Sequence, residues 1–245
     1  MNDCPPGINP NDVARVSFVG LIPTNILLFR AVKHNFVSGW ETEYLRELVK
    51  ELSKGKVLFD LGAEQGEFSA MAANVVGGEN VHLFEPSPHY WPNIKRLWDV
   101  NELNQPYCFQ GFISNVNDGE YKYKFNEWPD CINAPIFTDT CQISTHQKEE
   151  WGHVPKMKLD DYCNQTGVYP NIIIMDCEGA EVDIIDGALE TIKKSNPVIF
   201  ISVHNDDMIS MYGRKQKELF DCLESLGYEK QHIYTDHEEH WKFFK

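Results

Sequence analysis

Two short apolar runs that both end in a carboxylate restrict the fold of this chain more than any other feature. The first run is Val57–Asp60, which is followed by a loop with two glycines and then by a helical pattern from Glu67. The second run, Val81–Phe84, is followed by Glu85. In parallel α/β sheets, glycines after one strand let the backbone approach a nucleoside, and an acid after the next strand accepts its ribose hydroxyls. The two runs therefore predict a parallel α/β sheet with a nucleoside site.

Apolar runs alternate with amphipathic segments along the rest of the chain. Further strands are predicted at Tyr107–Ile113, Ile172–Met175 and Val198–Val203, and a final hairpin at Tyr228–Tyr234 and Trp241–Phe244. Alternating strands and helices are typical of a parallel sheet with helices on both faces. The sequence thus predicts an α/β fold with three layers: a Rossmann-like, seven-stranded, mostly parallel sheet with a C-terminal antiparallel hairpin.

One main domain is predicted from the length of 245 residues and a hydrophobic content of 42%, which is enough for a core. Residues 1–37 are expected to form an N-terminal arm or lid, and residues 38–245 the domain itself. Inside that domain, residues 118–158 lack a clear period and are expected to hold short strands or a substrate-facing insertion. Residues Ala180–Lys194 show helical spacing and are predicted to form one helix.

The chain is acidic, with 37 Asp and Glu residues against 22 Lys and Arg residues and a formal net charge of −15. This balance disfavours nucleic acid or an anionic membrane as the main partner, because both require basic side chains. The seven cysteines form no C-x-x-C pair and are odd in number, which favours free thiols in a reducing compartment. The N-terminal residues show no secretory signal pattern. A cytoplasmic protein is therefore expected, and its oligomeric state is left open.

Polar side chains stand at the carboxyl ends of the five strands predicted before the hairpin. Ligands of open α/β sheets bind at this edge, where loops from several strands meet. Each residue alone is compatible with a simple loop position, but together they outline one site. The residues are Asp60, Glu85, Ser114, Asp176 and His204.

The charge of the glycine loop indicates which nucleoside this site would take. The loop between Gly62 and Gly66 has two glycines rather than the three of a dinucleotide fingerprint, and it carries Glu64 close to Asp60. Two carboxylates repel a pyrophosphate but suit the ammonium and sulfonium of S-adenosylmethionine. The loop therefore favours a methyl donor over NAD, although Glu64 could instead point into water.

Several segments of the chain resemble the FkbM family of S-adenosylmethionine-dependent methyltransferases, within the class I methyltransferase fold. The resemblance covers about residues 39–235 and includes Trp40-Glu41, the runs FDLGAEQGEFS and LFEPSP, and Lys158–Tyr162. Its most specific part is Ile172–Ala188, IIIMDCEGAEVDIIDGA, which is similar to the family's I-D-x-E-G-x-E block. The segment Pro197–Asn205 resembles the variant in which the fifth strand ends in S-x-H.

The resemblance implies O-methylation of a hydroxyl on a carbohydrate or another small molecule. It also assigns the donor-binding positions: a methionine cradle, a ribose acid in Glu85 and adenine contacts at Ser114 and Asn115. The family commonly has Asn at the position of Glu64. The cradle residues are Asp60, Gly62, Ala63 and Gly66.

The far end of the site must handle the acceptor, since a hydroxyl hardly ionises at neutral pH and benefits from a base. His204 is the candidate base, assisted by Asp176 and Glu178, whose alternative roles are helix capping and dipole complementarity. A metal held by Asp176, His204 and Asn205 is a less favoured alternative, because Mg²⁺ prefers oxygen ligands to imidazole.

Three other functions are compatible with parts of the pattern. A nicotinamide oxidoreductase would have a third loop glycine or a loop without acids. A non-catalytic binding module would be favoured by loss of Asp60, Gly62 or Glu85, which are all present. A methyltransferase acting on nitrogen or protein is disfavoured by the lack of an N-P-P-Y-type motif.

Overall fold

The computed structural model describes residues 5–39, 41–121, 124–138 and 154–245. Eleven strands are assigned within these ranges. They are β1 (Val13–Phe18), β2 (Ile22–Leu27), β3 (Leu58–Leu61), β4 (Val81–Phe84), β5 (Tyr107–Phe109), β6 (Phe112–Ile113), β7 (Lys156–Met157), β8 (Ile172–Met175), β9 (Val198–Val203), β10 (Glu229–Thr235) and β11 (Glu239–Phe244).

Nine α-helices are assigned within the same ranges, together with short 3₁₀ turns at Gly78–Asn80 and Asp130–Asn133. The α-helices are α1 (Leu28–Lys33), α2 (Thr42–Glu51), α3 (Glu67–Val76), α4 (Trp91–Val100), α5 (Leu159–Thr166), α6 (Glu181–Asp186), α7 (Leu189–Ser195), α8 (Asp206–Ser210) and α9 (Gln216–Ser225). Across these residues, no helix combines the length and the apolar character that crossing a bilayer requires.

The central sheet has seven strands in the order β10-β11-β9-β8-β3-β4-β5. The five strands from β9 to β5 are parallel, whereas β11 is antiparallel to both β9 and β10. Leu58 pairs with both Val81 and Ile172, so β3, β4 and β8 start and end at the same level. The predicted Rossmann-like fold with its C-terminal hairpin is confirmed, and the ends of these strands share one edge.

Helices cover both faces of the sheet, and this explains the continuous apolar runs of the inner strands. Every residue of β3, β4 and β8 is buried. Leu58 packs in one core with Tyr44 and Leu48 of α2, whereas Phe59 packs in a second core with Tyr162 and Ile185. The site at the strand ends is therefore supported from both sides.

Two predicted elements are interrupted in the structure. The strand expected over residues 107–113 is divided, because Phe112 and Ile113 leave the central sheet and pair with Lys156 and Met157. The helix expected over residues 180–194 is divided at Gly187, where a Cβ atom would lie 2.0 Å from the carbonyl oxygen of Ser114. Both interruptions come from contacts between distant segments, which local periodicity does not reveal.

Residues 13–33 form a β-hairpin followed by a short helix. The hairpin packs on α3 and α4 rather than extending the central sheet: Asn25 and Asn101 exchange two hydrogen bonds of 2.7 Å. In α1, Arg30 is buried and bonds to Glu67 at the start of α3. The lid role of residues 1–37 stays a prediction. For the expected insertion at 118–158, residues 122–123 and 139–153 lie outside the described residues, as does Trp40.

Candidate active site

The glycine loop after β3 lies directly against the end of β8. Gly62 has φ 88°, and a Cβ atom there would lie 1.9 Å from the backbone oxygen of Asp176. The backbone N–H groups of Gly62 and Ala63 donate to the carbonyl of Phe84, at 2.9 and 3.2 Å. Gly66 then stands at the N-cap of α3. A side chain at position 62 would push the loop away from β8, so this contact requires glycine.

Glu85 is held beside this loop by the backbone. Its carboxylate accepts hydrogen bonds from the N–H groups of Glu64, at 2.9 Å, and Ser87, at 2.7 Å. Burial raises the pKa of Glu85 to about 8, although these two hydrogen bonds oppose the shift. Each carboxylate oxygen has two lone pairs, so both oxygens retain one acceptor site for a ligand hydroxyl.

Asp60 is buried near the end of β3, where it accepts a hydrogen bond from the hydroxyl of Ser69. Burial raises the pKa of Asp60 to about 7, and the bond from Ser69 acts in the opposite direction. The carboxyl group faces a cavity between the glycine loop, α2 and the end of β8.

This cavity is lined mainly by acidic and aromatic side chains. The basic side chain of Arg30 lies close to two of these acids: it forms an ion pair with Glu67 and lies 3.5 Å from Glu64. Burial raises the pKa of Glu41 well above its usual range, and nearby Glu238 adds to this effect. A cationic ligand in the cavity would stabilise the ionised form of these carboxyl groups and would be attracted by them. A pyrophosphate would be repelled. The lining residues are Glu41, Tyr44, Asp60, Gly62, Ala63, Glu64, Glu67, Phe68, Ile174, Met175, Asp176 and Ser202.

Carboxylates surround His204, which follows the last residue of β9 and is 4% exposed. Its Nδ1 lies 2.8 Å from Glu181 Oε1. Its Nε2 lies 3.0 Å from Glu238 Oε2, 3.4 Å from Glu178 Oε2 and 3.8 Å from Asp176 Oδ1. These five residues are called the His204 cluster below. Because Asp176 also lines the cavity, the cluster and the cavity form one continuous site.

The charge state of His204 follows from these neighbours. Burial opposes protonation, but the carboxylates of Glu178, Glu181 and Glu238 outweigh it and raise the pKa of His204 far above its ordinary value. A general base must be neutral before it accepts a proton. The surrounding carboxylates therefore favour an imidazolium in the free protein, and the role of His204 as the general base stays a prediction.

Comparison with known proteins identifies the family. The family model described as "Methyltransferase FkbM domain" matches residues 60–230, which is more than half of the chain. The chain belongs to the FkbM methyltransferase family. The matched range includes the glycine loop, Glu85 and most of the His204 cluster.

Two relatives place this FkbM-family chain among known proteins. It is 26% identical over 165 residues to the 2-O-methyltransferase NoeI of Sinorhizobium fredii (strain NBRC 101917 / NGR234), covering 61% of this chain and 65% of NoeI. Its fold is similar to the crystal structure of methyltransferase FkbM from Methylobacillus flagellatus KT, with 17% identity and a TM-score of 0.52, over 79% of this chain and 44% of that one. The chain thus spans just under two thirds of NoeI and less than half of the crystallised protein.

Five of the predicted site residues line the cavity, namely Asp60, Gly62, Ala63, Glu64 and Asp176. Gly66 and Glu85 lie beside the glycine loop and Glu178 and His204 belong to the His204 cluster, whereas Ser114, Asn115 and Asn205 make other contacts. Ser114 follows β6, and its carbonyl packs on Gly187. The side chain of Asn115 donates to Asp183 Oδ1 at 3.0 Å. Asn205 caps α8, since its side-chain oxygen accepts a hydrogen bond from the N–H of Met208 at 3.1 Å. Their roles in adenine or metal binding stay predictions.

Sequence reasoning did not assign Glu41 or Glu238 to this FkbM-family site. Glu238 stands in the turn before β11, and the pairing of Val203 with Glu239 brings that turn beside His204. Glu41 stands at the N-cap position of α2, without a capping hydrogen bond from its side chain. For Glu238, the predicted C-terminal hairpin was the only sequence signal. If the register of that hairpin with β9 had been known, its turn would have been placed at the carboxyl edge of the sheet.

Glu181 lies in the block Ile172–Ala188 that carries the family resemblance, but the sequence does not indicate that it contacts His204. It is fully buried, and its Oε1 accepts the N–H of Gly179 at 3.1 Å in addition to its contact with the ring of His204. Glu178, three residues earlier, has φ 51° and a half-exposed side chain. Glu181 therefore fixes the orientation of the His204 ring, whereas the side chain of Glu178 is half-exposed.

Proposed function

We propose that this FkbM-family chain transfers a methyl group from S-adenosylmethionine to an oxygen atom of a small molecule, with a carbohydrate hydroxyl as the favoured acceptor. The observation that carries the proposal is the continuity of an acid-lined cavity with the His204 cluster through Asp176. One part suits a cationic donor, and the other offers carboxylates to an acceptor hydroxyl.

The donor half of the proposal rests on charge and on hydrogen-bond acceptors. Asp60, Glu41 and Glu64 line the cavity and complement the ammonium and sulfonium groups of the donor. Glu85 keeps an acceptor site on each oxygen for the two ribose hydroxyls. When bound, the donor supplies an electrophilic methyl group, and these residues fix its position relative to the acceptor.

The acceptor half rests on exposure. The side chains of Asp176 and Glu178 are 49% and 50% exposed, whereas those of Glu181 and Glu238 are almost completely buried. An acceptor hydroxyl can therefore reach Asp176 or Glu178, and we assign proton removal to this pair. In this proposal His204 positions Asp176 and Glu178 through its Nε2 and does not receive the proton itself.

The choice of oxygen as the methylated atom is supported by the relative NoeI, whose name describes a 2-O-methyltransferase. The family resemblance of the block Ile172–Ala188 supports a carbohydrate or another small molecule. The excess of acidic residues agrees with this choice, since it disfavours a polyanionic acceptor.

The first experiment is isothermal titration of the purified chain with S-adenosylhomocysteine, with NAD⁺ in parallel. Micromolar binding of S-adenosylhomocysteine alone supports the donor site, and binding of NAD⁺ alone would show that the charge argument is wrong. Glu85→Ala should abolish binding, whereas Glu102→Gln, an exposed acid on α4's C-terminal side, should bind normally. Transfer of a labelled methyl group to a panel of sugars and glycans then tests the acceptor class. A folded protein that binds the donor and methylates none of them would refute the carbohydrate assignment.

A further inference from the structure

Three side chains of the His204 cluster converge at the spacing of a metal site. Asp176, Glu178 and His204 each present one ligand atom, and these atoms all lie within 4.8 Å of one another. Ligand atoms about 2.0–2.2 Å from a common ion lie at such separations. Acidic side chains often gather without an ion, so this convergence alone identifies no site.

Glu238 provides an independent observation. Its side chain is 2% exposed, and its Oε2 forms no hydrogen bond with any described residue although it lies 3.0 Å from His204 Nε2. A buried carboxylate oxygen without a donor is costly. A single proton on Nε2 can serve one oxygen well, but three carboxylates lie 3.0–3.8 Å from this nitrogen. A divalent cation bound beside Nε2 would compensate the negative charge of all three carboxylates.

The other side of the ring is arranged as in histidines that bind metals. Glu181 Oε1 lies 2.8 Å from His204 Nδ1 and already accepts a backbone N–H from Gly179. Because a carboxylate only accepts, Nδ1 carries a hydrogen, and in the neutral ring that a metal ion requires Nε2 would present its lone pair on the side of the three acids. A carboxylate behind a histidine fixes both the ring orientation and the tautomer that ligates a metal.

We propose that the His204 cluster binds one divalent cation through His204 Nε2, Asp176, Glu178 and Glu238. The mixture of imidazole and carboxylate ligands selects Mn²⁺ or Zn²⁺ rather than Mg²⁺, which prefers oxygen ligands. The ligand set differs from the set suggested by the sequence: Asn205 caps α8 instead, and Glu178 and Glu238 take its place.

The position of this cation gives it a role that rests on the proposed function. Asp176 and Glu178 are half-exposed, so the ion would keep coordination positions open on the side of the cavity. An acceptor hydroxyl bound there would have a lowered pKa and would lie next to the donor site. Cation binding itself does not depend on this role and is measured separately.

The test uses the full chain after dialysis against a chelator, titrated with MnCl₂ and followed by the electron paramagnetic resonance signal of free Mn²⁺, with ZnCl₂ titrated by calorimetry. One ion per chain with micromolar affinity is expected. Glu178→Gln and Glu238→Gln should each weaken Mn²⁺ binding about tenfold or more. Binding of S-adenosylhomocysteine by each variant shows that its donor site is intact.

Asp236→Asn is the control that locates the ion. Glu238 also belongs to a neighbouring group with Asp236 and His240, which could hold a cation instead. At the proposed site, Asp236→Asn should leave the affinity for Mn²⁺ nearly unchanged. Loss of binding in Asp236→Asn but not in Glu178→Gln would overturn the assignment. So would a folded wild-type chain that binds S-adenosylhomocysteine but neither metal at millimolar concentrations, and this result would leave the proposed methyl transfer standing.

Discussion

Glu85 offers a sharp test of the donor site, because its carboxyl group is buried and yet must be ionised to accept two ribose hydroxyls. Burial raises its pKa to about 8 in the free protein, against the opposing hydrogen bonds from Ser87 and Glu64. Below that pH most molecules carry a protonated Glu85. Binding of the donor must then release this proton, so affinity should increase as the pH rises.

The magnitude follows from the ionised fraction. With a pKa of about 8, roughly one Glu85 in a hundred is ionised at pH 6 and one half at pH 8, so the affinity for S-adenosylhomocysteine should rise about 50-fold over this range. Glu85→Gln keeps the size of the side chain but cannot ionise. Hydrogen bonds to charged groups contribute about 1.5–3 kcal/mol, so this variant should bind roughly 10- to 100-fold more weakly at pH 8. The pH dependence that this variant retains belongs to the other acids of the cavity, among them Asp60, whose pKa is about 7.

The assay is isothermal titration with S-adenosylhomocysteine from pH 6 to pH 8, in buffers with different ionisation enthalpies. The buffer dependence of the heat counts the protons released, and the wild type should release more than Glu85→Gln at pH 7. Glu102→Gln serves as the matched control, since it removes an exposed acid. Wild-type affinity that does not change with pH, or Glu85→Gln binding as tightly as wild type at pH 8, would refute the reasoning.

The same pKa has a consequence for stability. Native Glu85 has a pKa of about 8, above its usual value of 4.5, so the folded state holds this proton more tightly than the unfolded state. The resulting stabilisation is complete below pH 4.5 and is lost as the pH rises through 8. Urea unfolding measures the free energy of unfolding of wild type and of Glu85→Gln. The difference between the two free energies should change by up to about 1.4 kcal/mol per pH unit in this window. An unchanged difference would mean that Glu85 is ionised in the free protein.

Three further substitutions test other parts of the site. Gly62→Ala should lower the free energy of unfolding by more than about 2 kcal/mol, since its Cβ would lie 1.9 Å from a backbone oxygen. The control Gly55→Ala has a similar φ of 82° but open space around its Cβ, so it should lose only about 1–2 kcal/mol. Urea unfolding measures both. His204→Ala should retain S-adenosylhomocysteine binding but lose transfer of a labelled methyl group, and a variant that still transfers would exclude His204 from the acceptor site. Arg30→Met should cost about 3–5 kcal/mol by leaving Glu67 buried and unpaired, and Arg30→Met combined with Glu67→Met should recover most of it in the same assay.

The central sheet was predictable because its information is local. Val81–Phe84 and Ile172–Met175 are short, entirely buried apolar runs, and their pairing with β3 follows once all three are parallel. The helix Glu67–Val76 was likewise predictable, because glycines flank it at both ends. Asp60 and Glu85 then reach the same edge of the sheet as a consequence of the topology.

The composition of the His204 cluster was less predictable because it depends on long-range pairing. Glu238 comes within 3.0 Å of His204 only through the antiparallel pairing of β11 with β9, which brings together residues 34 positions apart. The divided segments have the same origin: Gly187 interrupts a helical period where the backbone of Ser114 approaches. Sequence periodicity indicates which face of a helix or strand is apolar, but it does not indicate which distant segments contact that helix or strand.

The contact between Gly62 and Asp176 links the two halves of the site. The backbone oxygen of Asp176 occupies the space that a Cβ atom of residue 62 would need, and the side chain of the same residue lies 3.8 Å from His204 Nε2. A change that moves the glycine loop away from β8 would therefore remove a contact with the residue that carries this carboxylate. One backbone contact thus places the glycine loop, which we propose binds the donor, beside the acids that follow β8, which we propose face the acceptor.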